Sequence, residues 1–272
     1  MFAINPKVPR ILSCRATIVI ALCLACWPVG RWYITRMSDG SDEPWGLAAL
    51  TAALLFAPRT GWTEPLSRVK TLLLCGLITI HMITYPFVPP LGHSFVFVTM
   101  LGIAVSQRIF PLAWWTLLLL SLPVIATLQF YLGYPLRLIT TLLCIPLLKL
   151  GGLNVAAQGT ALHWAGETVI VDAPCSGIHM LWTGLFLAAV LACWQQLNFP
   201  KSFRLLRYAS STVFVANALR AAALFCVEAK IWPAPAWAHE AVGLALFGGA
   251  TIAIYFISIS MIGYAAPKSI RP

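Results

Sequence analysis

Eight apolar runs, parted by short and mostly basic gaps, constrain this chain more than any other feature. They lie at about 15–34, 45–58, 70–88, 92–107, 110–131, 176–197, 203–227 and 237–264. A helix that crosses a bilayer needs about 20 apolar residues, within a range near 17–25. The runs at 45–58 and 92–107 are therefore short for the task. Together the runs exclude a soluble fold: 60% of the 272 residues are hydrophobic and 10% are charged. An ordinary globular chain carries about 25% charged residues, and this one has too little polar surface for a wettable exterior. We read an all-α polytopic membrane protein with about eight transmembrane helices. The N-terminus starts basic and turns apolar, as a signal peptide does. It lacks a small-x-small cleavage site, so it is read as an uncleaved first span.

The formal charge of +10 would suggest nucleic acid in a soluble chain. Here the basic residues fill gaps, and no nucleic-acid partner is expected. Lys7, Arg10 and Arg15 precede the first span. Arg59, Arg68 and Lys70 part the second and third, and Arg108 parts the fourth and fifth. Lys201, Arg204 and Arg207 part the sixth and seventh, and Lys268 and Arg271 follow the eighth. Positive loops stay cytoplasmic, and with eight spans all these groups fall on one side. Both termini are therefore expected in the cytoplasm. Arg31 and Arg36 are the contrary signal, diluted by Asp39, Asp42 and Glu43.

This parity leaves the stretch before span six outside. Leu136–Leu150 is apolar but short, interrupted by Pro146 and bracketed by Arg137 and Lys149. It is read as an interfacial or re-entrant helix. Thr160–Trp164 and Thr168–Asp172 hold β-type residues around Ala165-Gly166-Glu167, which suggests a short extracytoplasmic β-hairpin. The expected organisation is one integral membrane domain. It has five spans in residues 1–131, an outer segment at 132–174 and a three-span region at 175–272.

Polar residues in or beside spans are costly and need a reason. In "VDAPCSGIHMLW", Cys175 stands at the outer start of span six, behind Pro174, a residue suited to a first helical turn. Arg220, in "VFVANALRAAALF", lies roughly 25 Å beyond Phe203 at about 1.5 Å per residue, near the outer boundary of a core about 30 Å thick. His239, in "WPAPAWAHEAVG", opens span eight on the same side. The charge-derived topology thus brings Cys175, Arg220 and His239 to one depth. A thiolate is a nucleophile. His239 could take the thiol proton and return it to a leaving amine. Arg220 suits oxyanion stabilisation or a substrate carboxylate. Asn217, one turn before Arg220, could orient it or add a donor.

Each residue also has a plainer reading. A cysteine at a helix start can be an inert small hydrophobe, Arg220 can snorkel to headgroups, and His239 can be an interfacial histidine. His179, four residues after Cys175, is a rival base or a packing residue. Ser176 is an auxiliary beside the thiol, Asp172 a cap of the turn, and Glu240 a cap of span eight or a partner of Arg220. Cys23, Cys26, Cys75, Cys144, Cys193 and Cys226 lie in apolar runs and are read as small hydrophobes. No ligand set for a metal accompanies them, and no metal or cofactor is expected.

"APCSGIHML", "NALR" and "HEAVG", at the outer ends of consecutive late spans, resemble the exosortase/archaeosortase family. The resemblance is best from about Leu122 to Phe247, and the first four spans match only in hydropathy. It implies a transpeptidase-like cysteine enzyme of the bacterial inner (plasma) membrane, with an extracytoplasmic active site. Its substrates would be membrane-anchored proteins bearing a C-terminal sorting signal: a short motif of Pro-Glu-Pro type, a span and a basic tail (PEP-CTERM). Cys175 would form a thioester with Arg220 and His239 as partners. The thioester would pass to a glycan or lipid acceptor, or to water. Many relatives carry an acidic residue two before the cysteine, where this chain has Ala173, with Asp172 one further away. From other classes, a transporter or channel would line a path with Arg and His, and a non-catalytic assembly factor would keep the fold alone. A transporter favours polar groups at mid-membrane depth and paired repeats, neither of which is visible here.

Overall fold

A computed structural model describes residues 15–39, 45–57, 64–105, 111–235 and 237–262. The chain is mostly helical and divides into two compact units, one reaching Val124 and the other starting at Ile125.

The first unit holds α1 (Arg15–Ala25), α2 (Trp27–Ser38), α3 (Trp45–Leu55), α4 (Arg68–Thr84), α5 (Pro90–Val105) and α6 (Leu112–Leu120). Helix α4 starts at Ser67, whose side chain accepts from Lys70 N and so satisfies one free helix donor. Leu22, Cys26, Val29, Leu74, Met100 and Ile103 form the core between α1, α2, α4 and α5. The Trp114 indole donates to Ala53 O at 2.8 Å and ties α6 to α3.

The second unit holds α7 (Ile125–Leu150), a small sheet, a 3-10 turn (Ala173–Ser176), α8 (Ile178–Trp194), α9 (Phe199–Glu228) and α10 (Ala238–Ile262). Asn198 caps α9 by accepting from Lys201 N at 3.2 Å, with Pro200 in the first turn. Small buried residues line the packed faces: Ala188, Ala189 and Ala192 of α8, and Ala209, Ala216, Ala218, Ala221 and Ala222 of α9. Helices in lipid gain from such close approach, since no hydrophobic drive separates them from the acyl chains.

Where two strands were expected, the sheet has three in the order β1-β2-β3, all antiparallel. They are β1 (Ala156–Gln158), β2 (Ala161–Trp164) and β3 (Glu167–Ile170). Leu162 faces Val169, and Ala165 and Gly166 turn the chain with φ of 50° and 89°. Positive φ at both central positions is what a tight two-residue hairpin turn requires. Leu162 and Val171 pack into one core with Cys144, Leu148 and Phe225 of α7 and α9.

Among the described residues, four stretches are long and apolar enough to cross a membrane: α7, Ala173–Trp194, α9 and α10. The pair α1–α2, bent by 68° at Cys26, makes up to five. That is fewer than the eight read from hydropathy. Apolar runs report composition and not helix continuity, and α3, α5 and α6 have 11, 16 and 9 residues. The run at 110–131 is cut between Leu120 and Ile125, and its second part belongs to α7. Leu136–Leu150 is accordingly not a separate interfacial helix but the C-terminal part of α7. Pro135 and Pro146 lie inside α7 without ending it, though each removes one helix donor.

Candidate active site

The centre of the site is the 3-10 turn Ala173–Ser176. Cys175 N donates to Asp172 O at 2.9 Å, closing the turn. Gly177 then takes φ of 79°, a left-handed conformation that glycine adopts without steric cost. This residue separates the turn from α8. A methyl at Gly177 would also stand 2.9 Å from the Asn217 side chain, so the position needs glycine twice over.

Cys175 is half-buried at the end of the turn. It lines a small cleft with Leu162, Ile170, Phe225 and Glu228. Arg220, Glu228 and Asp172 are the charged groups that act on the thiol.

Helix α9 supplies two grips on the turn. Asn217 Nδ2 donates to Cys175 O at 3.0 Å and to Thr140 Oγ1 at 3.0 Å. Arg220 Nη1 makes a long hydrogen bond, 3.5 Å, to Pro174 O. The buried Arg220 Nε has no partner among the described residues, so one donor of a fixed cation remains uncommitted beside the turn. Helix α7 supplies a third grip. Gln129 Nε2 donates to Ala173 O at 3.3 Å, and Ser176 Oγ donates to Gln129 Oε1 at 3.0 Å.

His239 lies on the exposed first turn of α10. Gly243, one turn further on the same helical face, lies so close to Arg220 that a methyl there would be 3.3 Å from its Nε. The opening turns of α10 thus face Arg220. No hydrogen bond joins His239 to Cys175 among the described residues. Glu240 is exposed in the first turn of α10; Arg220 bonds to Pro174 O and has no ion pair to Glu240 among those residues.

Several sequence-based expectations change in detail. Asp172 occupies the cap position, but its side chain makes no capping hydrogen bond; its carbonyl closes the turn instead. His179 is exposed in α8, beyond the left-handed Gly177. It does not share one continuous helix with Cys175, so their four-residue spacing does not by itself put them on one face. Asn217 holds the cysteine turn rather than Arg220. Gln129, Thr140 and Glu228 went unnoticed in the sequence. Gln129 and Glu228 carried a signal, as polar residues within or closing apolar runs. Thr140 carried none, because a threonine in a helix usually satisfies its hydroxyl locally.

Curated proteins and solved structures gave no match to the chain. The family model described as transmembrane exosortase matches residues 13–256, which takes in both units and every candidate residue above. The chain belongs to the transmembrane exosortase family.

Proposed function

We propose that this membrane protein is a cysteine peptidase/transpeptidase that cleaves C-terminal sorting signals from exported proteins. Cys175 Sγ attacks the scissile carbonyl, a C–S bond forms and the C–N bond breaks. His239 takes the thiol proton and passes it to the departing amine. Arg220 stabilises the oxyanion through its guanidinium charge. The thioester is then resolved by an amine or hydroxyl of a cell-surface acceptor, or by water. The substrate is a membrane-anchored protein with a short proline-containing motif, a span and a basic tail. The site faces away from the cytoplasm of a bacterial inner membrane, with both termini inside.

The observation that carries this reading is the support of a single thiol-bearing turn by Asn217 and Arg220 through successive carbonyls. The outer edge of β3 adds to it. This edge strand borders the cleft at Cys175 through Val169 and Ile170, and an unpaired strand edge can take up an extended peptide by strand addition.

Cys175→Ala, co-expressed with a protein bearing such a signal, tests the reading. The precursor should stay uncleaved while the variant remains in the membrane fraction. Full cleavage by the variant would reject Cys175 as the nucleophile.

A further inference from the structure

We infer that α7 is part of the catalytic apparatus, with Gln129 and Thr140 as positioning residues that fix the Cys175 turn. This rests on the reading of Cys175 as the nucleophile and names what aims it.

The turn opens on a backbone bond from Cys175 N to Asp172 O, and the left-handed Gly177 parts it from the hydrogen-bond ladder of α8. The carbonyls of Ala173, Pro174 and Cys175 each also accept from a side chain: Gln129, Arg220 and Asn217 in turn. Two of those three grips depend on α7. Gln129 holds both ends of the turn, giving a proton to Ala173 O and taking one from the buried Ser176 hydroxyl. Thr140 works through Asn217. The Asn217 amide could sit in either of two orientations, but Cys175 O can only accept, so Nδ2 must face it. Thr140 Oγ1 takes the second proton of that same Nδ2 and so adds a second tether to the amide. Thr140 and Asn217 are both about 2% exposed, and water cannot substitute there.

Placement of this kind matters because attack on a carbonyl needs the reacting atoms in a near-attack geometry. A misplacement of about 1 Å can cost about 100-fold. Gln129 and Thr140 touch neither the thiol nor the reacting carbonyl, so their loss should appear in the rate of chemistry and not in substrate binding.

The test uses the full chain in detergent with a purified substrate bearing the C-terminal sorting signal. Thr140→Val keeps the side-chain shape and removes the acceptor, and Gln129→Met keeps the length and removes both polar ends. Each should lower kcat on the order of 10-fold or more with KM unchanged, and Thr140→Ser should recover most of the rate. Ser176→Ala breaks the Gln129 grip from the other side with little volume change and should lower kcat in the same way. Wild-type kcat in Thr140→Val, Gln129→Met and Ser176→Ala would overturn the positioning role. So would a fall in Thr140→Ser equal to that in Thr140→Val. With Cys175→Ala in parallel, cleavage by that variant would instead reject the nucleophile. An inactive Cys175→Ala beside wild-type positioning variants would reject the α7 role alone.

Discussion

In the first unit, the buried histidines meet each other. His93 Nδ1 lies 3.1 Å from His81 Nδ1, His81 Nε2 lies 3.9 Å from Cys26 Sγ, and the Tyr85 ring lies tilted 5.2 Å from His93. In the second unit, buried Asn217 and half-buried Arg220 each give a donor to the backbone of one turn. Both arrangements answer the same demand, since a polar group away from water must be hydrogen-bonded. Their consequences differ. Side chains that pair with each other fix how helices pack. Side chains that converge on three successive carbonyls fix where one residue points, and that residue is Cys175. Polarity inside a membrane protein therefore does not by itself mark chemistry; what the polar atoms hold does.

The sharpest way to break this contrast is to remove a proton-transfer group from the second unit. His239→Ala should slow signal cleavage on the order of 100- to 10,000-fold, the usual contribution of a general acid–base. His179→Ala, on the far side of Gly177, should leave the rate within a few-fold. A large loss in His179→Ala and none in His239→Ala, read from the same cleavage assay, would transfer the base to α8.

The opposite unit gives the smaller effect. His93→Phe keeps a ring but removes the hydrogen bond to His81. It should cost about 1–3 kcal/mol of stability, the penalty for a buried group left unpaired. Thermal unfolding in detergent should show that loss, while cleavage per folded molecule stays at the wild-type rate. A fall in kcat without a fall in unfolding temperature would mean that the histidine pair serves the reaction, and the contrast between the units would fail.

The sequence made some of this legible and hid the rest for physical reasons. The membrane class followed from apolar runs that no soluble surface could accommodate. Cys175, Arg220 and His239 stood out because charged or reactive groups are rare beside spans, and charge asymmetry in the loops led to the expectation of one shared depth. Span boundaries were less visible. Ser121–Val124 interrupts an apolar run between α6 and α7 without a charged residue to announce it. Pro146 suggested a helix end, yet α7 continues through it to Leu150. The spacing of His179 from Cys175 looks helical in the sequence, yet one left-handed glycine, Gly177, interrupts the helix between them. Thr140 could not have been found by any local pattern. Its role arises from a contact with Asn217, 77 positions away in the chain.

The central claim is that Cys175 becomes covalently acylated. Incubating the protein with a substrate that carries the sorting signal, quenching with acid and mapping the adduct by mass spectrometry measures this directly. The expected result is a hydroxylamine-sensitive thioester on Cys175 that bears the substrate segment upstream of the cut. Cleaved substrate with the adduct on another residue, or with none detectable at any quench time, would contradict it.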